Sequence, residues 1–197
     1  MSEIKVNKIS PATGTAFTLG DSGDTFTVPS GATIVNSGTA TGFGGGKVLQ
    51  TPVSVEITSV FTSTSTSYVD VTGLTATITP TASSSKILCI VDTNLGNSVS
   101  TYHTYGRILR ASTEIGSGVD ASSRIGVCLF AAPHYTGHQD SMTKVILDSP
   151  ATDSAVIYKV QVKTQANTVS VNASGNDSDA SHMARLASRI TLIEMGT

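Results

Sequence analysis

The sequence predicts an all-β protein, and three observations carry that prediction. Val, Ile and Thr recur in spaced clusters within a chain that is 39% hydrophobic, and β-branched side chains lose rotamer freedom in helices but pack well on pleated surfaces. Short stretches rich in Ser, Thr, Asn, Asp and Gly separate these clusters, as turns separate strands. No segment carries the long three-and-four spacing of an amphipathic helix. Charge is scarce as well, at 13% of 197 residues, and 29 Thr and 27 Ser take its place. A chain this poor in charge folds only because it has enough apolar surface to bury.

Residues 1–46 form a segment of their own. Ser22-Gly23, Ser30-Gly31 and Ser37-Gly38 punctuate it at intervals of eight and seven residues, a near-periodic series of turn signals. The pieces between them, such as Thr25-Phe26-Thr27-Val28 and Thr33-Ile34-Val35, are too short to cover a core alone. The same segment from neighbouring chains, wound into a slender β-stalk, is the economical solution, and it predicts an oligomer. Gly42-Phe43-Gly44-Gly45-Gly46 is a flexible break, which places a second domain at 47–197.

That domain opens with Val53, Val55 and Ile57 alternating with Ser54, Glu56 and Thr58, a strand with one buried face. Strands at 68–71 and 74–79 flank Thr72-Gly73 and read as a hairpin ending at Pro80. Ile87-Leu88-Cys89-Ile90-Val91 is unbroken apolar sequence, expected of a central strand covered on both faces. Further strands are expected at 102–110, 124–131, 143–148, 155–163, 168–172 and 186–195. So many short strands joined by polar turns indicate an antiparallel, jelly-roll-like β-sandwich head.

Composition excludes several classes of function. Twelve Lys and Arg against fourteen Asp and Glu give a net charge of -2, which leaves no electrostatic footprint for nucleic acid or an anionic membrane. The polar N-terminus lacks the apolar core of a secretory signal, and no apolar run spans a bilayer. A soluble, cytosolically made chain is expected. Cys89 and Cys128 lie inside apolar runs, the usual setting of buried free thiols, although two cysteines can also pair.

Motifs that promise chemistry fail on context. Gly20-Asp21-Ser22-Gly23-Asp24 has the residues of a serine-protease nucleophile loop, yet every His lies at His103 or later and almost nothing precedes Ser22, so it is a turn. Gly44-Gly45-Gly46-Lys47 would need Gly at 41 and Ser or Thr at 48 to cradle phosphate, and the chain has Thr41 and Val48. No Gly-x-Ser-x-Gly elbow or facing carboxylate pair occurs. His134 and His138, with Asp140 or His103, offer metal ligands, but Pro133 and Gly137 argue against the helix that four-residue spacing needs. Asn176-Asp177-Ser178-Asp179 lacks the ordered oxygen series of a calcium loop and reads as a polar turn. No enzyme, cofactor or metal is expected. Recognition remains. Tyr102, His103, Tyr105, His134, Tyr135 and His138 place aromatic and imidazole groups in Gly- and Ser-flanked stretches, where they can stack on and hydrogen-bond to a glycan.

The stretches 2–11, 20–25 and 28–32, with Asn36-Ser37-Gly38-Thr39-Ala40-Thr41-Gly42-Phe43-Gly44, resemble the N-terminal stalk of tail-fibre-like structural proteins of marine bacteriophages. Ser83-Ser84-Ser85-Lys86-Ile87-Leu88, Arg107-Ile108-Leu109-Arg110, Leu147-Asp148-Ser149-Pro150, Tyr158-Lys159-Val160-Gln161 and 188–194 are similar to the distal β-domains of such fibres. Apart from 107–110, residues 99–141 match nothing of that kind. The resemblance implies a homotrimeric virion protein. Its N-terminal segment, with Ile4, Val6 and Ile9 as candidate contacts, would join other virion proteins of tail or capsid, and its head would meet a host-surface glycan or protein receptor. A capsid-bound decoration, cement or head fibre is the nearest alternative, and a free carbohydrate-binding module the next.

Overall fold

Period-two alternation runs through most of the second half of the chain, and in the computed structural model each such run is a strand. The structure describes residues 22–25, 27–33, 48–135, 137–181 and 183–196, and the chain divides into two units, Met1–Phe43 and Gly44–Thr197. In the first unit the described residues are exposed, with turns at Ser22-Gly23 and Ser30-Gly31. Gly23 and Gly31 there take φ of 99° and 86°, the left-handed region open to glycine. Ile4, Val6, Ile9, the Ser37-Gly38 turn and the break at 42–46 lie outside the described residues.

Among its described residues the second unit contains eleven strands. In chain order they are β1 (Val53–Ile57), β2 (Phe61–Ser63), β3 (Val69–Ile78), β4 (Lys86–Asn97), β5 (Thr104–Arg110), β6 (Thr113–Ile115), β7 (Leu129–Ala131), β8 (Gln139–Asp148), β9 (Val156–Thr164), β10 (Val169–Val171) and β11 (Ser188–Met195). Every pairing is antiparallel. In the first sheet β4 is central: β8 lies along one edge, β11 and then β10 share the other, and β1 and β2 flank β11 and β10. The second sheet runs β3, β9, β5, with β7 and β6 sharing the outer edge of β5.

One hydrophobic cluster joins the two sheets. Ile87, Cys89, Val91 and Leu95 of β4 and Ile190 and Leu192 of β11 meet Ile108 of β5 and Tyr158, Val160 and Val162 of β9, all wholly buried. Each aliphatic side chain so enclosed contributes about 1.5–3 kcal/mol. The arrangement is a β-sandwich-like, all-β fold.

Three local expectations need correction. Thr72-Gly73 is not a hairpin turn: both flanking segments belong to β3 and pair with the same strand, β9, and the register slips by three residues between Asp70 and Thr75. The slip is an irregularity of the bulge kind. Because three is odd, it reverses the alternation, so Val71 and Leu74 both face the core, while Gly73 takes a φ of 84°. β4 is central, but over 86–92 only one face is fully covered, since Leu88 and Ile90 are half-buried, whereas 93–97 are buried on both faces. The strand expected at 124–131 shrinks to Leu129–Ala131. Asp120 Oδ1 accepts the Gly126 amide at 2.6 Å, and the Ala121 and Arg124 backbones bond to each other in a tight turn around Ser122, whose φ is 58°. Those donors are spent within the loop rather than on a neighbouring strand.

Buried polar groups fasten the ends of the sandwich. Asn172 Nδ2 donates to the Ile57 and Ser59 carbonyls at 2.8 and 3.1 Å, and its Oδ1 accepts from the Ser188 hydroxyl at 2.6 Å. Wholly buried Glu194 accepts from the Thr81 amide and hydroxyl, both at 2.7 Å, and from the Gln50 side chain. It ties the 48–50 segment to the turn before β4. Asp148 accepts from Tyr158 Oη at 2.6 Å and from Arg110 Nη1 at 2.7 Å.

Candidate functional site

The structure sorts the six candidate recognition residues into two clusters and one outlier. Tyr102 lies in the turn before β5, its amide donating to the Val99 carbonyl at 3.2 Å, and belongs to neither cluster. His134, Tyr135 and His138 gather in the loop between β7 and β8. Both other rings meet His138 edge-on, with centroids 5.4 and 5.3 Å away. His138 Nε2 pairs with Asp140 Oδ1 at 2.9 Å, and Asp140 Oδ2 accepts the Ala132 amide at 3.1 Å. The second carboxylate oxygen is thus committed to holding the loop. Among the described residues, no three His, Cys, Asp or Glu side chains are grouped to hold a metal.

His103 lies just before β5 and Tyr105 within it, where alternation turns Tyr105 and Arg107 outward while Thr104, Gly106 and Ile108 face the core. Cross-strand register then builds a row. Tyr105 lies opposite Phe130 of β7 on one side and Lys163 of β9 on the other, and residues facing each other in this way have Cβ atoms only about 5 Å apart. The Tyr105 and Phe130 rings are 5.5 Å apart, and the His103 ring also meets Phe130, with centroids 5.3 Å apart and the planes tilted by 50°. Lys163 Nζ sits 5.5 Å from the Tyr105 ring and 4.8 Å from that of Tyr68, just before β3. Arg107 covers the same Tyr68 ring at 4.1 Å. Cations in these positions are attracted to the negative faces of the rings.

Beside the row a polar chain crosses the sheet. Glu114, beyond β5 on β6, pairs with Arg107 at 3.3 Å; Arg107 Nε donates to Gln161 at 2.8 Å; Gln161 Nε2 and Lys159 Nζ donate to Asp70 at 2.6 and 2.9 Å. Those bonds from Gln161 and Lys159 hold the Asp70 carboxyl below its usual range. Burial, and then the Glu114 carboxylate, push the Tyr68 phenol up.

A cleft of about 470 Å³ opens at the Phe130 end, lined by Tyr105, Phe130, Ser123, Arg124, Ile125 and Val127. Its size is that of a small-ligand site. The loop between β6 and β7 supplies four of these residues, and the turn at Ala121 and Arg124 aims them at the row. Phe130 is 44% and Ile125 42% exposed, so apolar surface faces solvent where aromatic stacking is available. The arrangement offers ring faces, hydroxyls and cations to a ligand. It offers no nucleophile paired with a base.

Neither thiol adds chemistry. Both cysteines are free, and burial pushes the Cys89 thiol up to about 12 and that of Cys128 up to about 11. The 176–179 turn is likewise occupied, because Asp177 takes two hydrogen bonds from Arg185, at 3.0 and 2.8 Å.

Sequence reasoning found Tyr105 and His103 but missed Tyr68, Phe130, Arg107, Arg124 and Lys163. Their proximity depends on which residue faces which across β3, β9, β5 and β7. The alternation of each strand shows which side chains point outward, but it does not give the register. No protein-family model matches the chain, and no curated protein matches it.

Proposed function

We propose that the protein is an adhesion subunit of a bacteriophage virion, a homotrimeric tail fibre or fibre tip with a β-stalk and a jelly-roll-like head that attaches the particle to the host surface. The observation that carries this reading is the row of Phe130, Tyr105, Lys163 and Tyr68 on the outer face of the second sheet, a rigid platform for stacking and polar contact. Sites built on strands hold their geometry better than sites built on loops. The phage assignment rests on the resemblance in the stalk and the distal strands.

Self-association has its own support on the opposite side. Leu88 and Ile90 of β4 face Leu147 and Val145 of β8, and Leu88 also faces Ile193 of β11. Leu147 is 62% and Val145 56% exposed, an aliphatic patch that further copies of the chain would cover. A trimer would also present three recognition faces together. Linking them raises avidity by orders of magnitude without any new contact.

The test is the solution mass by light scattering of the full chain and of a truncation starting at Lys47, together with labelling of the chain on purified particles. The expected results are three times the chain mass and localisation to the tail. Labelling on the capsid would replace the tail fibre with a decoration fibre. A monomer absent from particles would overturn the proposal in favour of a free binding module.

A further inference from the structure

Positive charge is unevenly committed on this molecule. Arg107 is paired with Glu114, Arg110 with Asp148, Lys159 with Asp70, Arg185 with Asp177 and Arg189 with Glu56. Among the described residues Lys86, Arg124, Lys144 and Lys163 have no carboxylate partner, and of these Lys163 and Arg124 border Tyr105. Lys163 is held between two phenol rings, which satisfy its charge in part but accept none of its N–H donors in a strong hydrogen bond. Arg124 spends Nε on the Ala121 carbonyl at 3.3 Å and keeps its terminal nitrogens for another acceptor. His103, whose ring meets Phe130, has its Nδ1 buried without a hydrogen-bond partner. The carboxylates near this face, Asp70, Glu114 and Asp120, are already bound to Lys159, Arg107 and the Gly126 amide. In a chain of net charge -2, this face brings two uncommitted cations beside apolar rings.

We infer that the face binds an acidic saccharide, its sugar rings lying against Phe130 and Tyr105 and its carboxylates meeting Lys163 and Arg124. This inference rests on the adhesion reading and narrows its ligand to a chemical class. A neutral sugar would use the rings and leave both cations unanswered. An inorganic anion would use the cations and leave the exposed faces of Phe130 and Ile125 wet. A carboxylate-bearing sugar uses both, and a guanidinium meets a planar carboxylate with two parallel hydrogen bonds.

The experiment is binding of the full-length protein to an array of uronic- and sialic-acid-bearing, sulfated and neutral oligosaccharides, at about 0.15 M salt to suppress non-specific attraction. Wild type is compared with Lys163→Met, Arg124→Met, Phe130→Ala and the control Lys86→Met, whose lysine bonds Ser149 elsewhere; circular dichroism checks that each variant folds. Carboxylated sugars should bind about tenfold or more above their neutral counterparts, as one charge-assisted hydrogen bond requires. Lys163→Met and Arg124→Met should each remove most of that preference, Phe130→Ala should weaken every sugar, and Lys86→Met should change nothing. Equal binding of neutral and acidic sugars, or sulfated binding indifferent to Lys163, would overturn the inference while leaving an adhesion face. No sugar bound by any variant would remove the glycan face itself, whereas the mass and particle measurements still decide the fibre reading.

Discussion

Glu194→Gln tests whether the buried carboxylate at the end of β11 is a structural clamp. Glu194 has no exposed surface, and burial by itself would push its carboxyl up. The hydrogen bonds from Ser85, Thr81 and Gln50 outweigh burial and hold it below the usual glutamate range, so it is ionised at neutral pH. Hydrogen bonds to a charged group are worth about 1.5–3 kcal/mol each. Glutamine keeps one acceptor oxygen but turns an amide toward donors that need an acceptor, leaving at least one of them unpaired. A loss of about 3 kcal/mol follows, or about 6–12 °C in melting temperature for a chain of this size. The pH dependence has a definite sign. A carboxyl with a lowered folded pKa contributes fully above its unfolded value and loses that contribution as pH falls through the folded one. The gap between wild type and variant should therefore be widest at neutral pH and close under acid conditions. Urea unfolding followed by circular dichroism suits a protein without tryptophan. Equal stability at pH 7, or a gap that persists unchanged into acid, would refute the clamp.

Tyr158→Phe removes the donor at 2.6 Å from Asp148 and leaves Arg110 in place, so it should cost about 1–3 kcal/mol in urea unfolding. Gly175→Ala should fail to give the native fold, because the added Cβ would fall 1.7 Å from the Asn97 carbonyl oxygen; soluble yield and the circular dichroism spectrum read the outcome. Gly73→Ala should lose about 1–2 kcal/mol through its φ of 84°, with Ile57 3.0 Å from the new methyl group. With thiols pushed up to about 12 and about 11, Cys89 and Cys128 should resist alkylation at pH 8 until urea unfolds the chain, as mass spectrometry would show.

The fold class was legible because alternation is a local property. Val53, Val55 and Ile57 predict β1 from five residues, and the apolar run at 87–91 locates the centre of the first sheet. What sequence withheld was long-range. Thr72-Gly73 has the composition of a turn, and only the pairing of both flanks with β9 makes it an irregularity within one strand. β2 and β6 are three residues each, too short for a period to register. Residues 124–128 read as strand from composition, but the Asp120 carboxylate captures the Gly126 amide and turns the segment into the wall of a cleft. The candidate site was half legible for the same reason. Tyr105 and His103 stood out as aromatic neighbours in sequence, whereas Phe130, Lys163 and Tyr68 join them only through register.

The scarcity of charge gives the placement of Lys163 and Arg124 its weight. On a protein crowded with lysines, two unpaired cations beside tyrosines would be unremarkable, since surface cations are usually solvated and contribute little. Here most described cations are tied to a carboxylate, and each unpaired one occupies surface that could have held another threonine. The cleft is open and shallow, so one sugar on Phe130 and one acid group on a cation give a weak site. In the trimeric reading the head supplies specificity through charge and stacking, and the stalk supplies affinity by holding three such faces within reach of one surface. A monomeric head would then keep the preference for acidic sugars and lose most of the strength with which a multivalent surface retains the full-length protein.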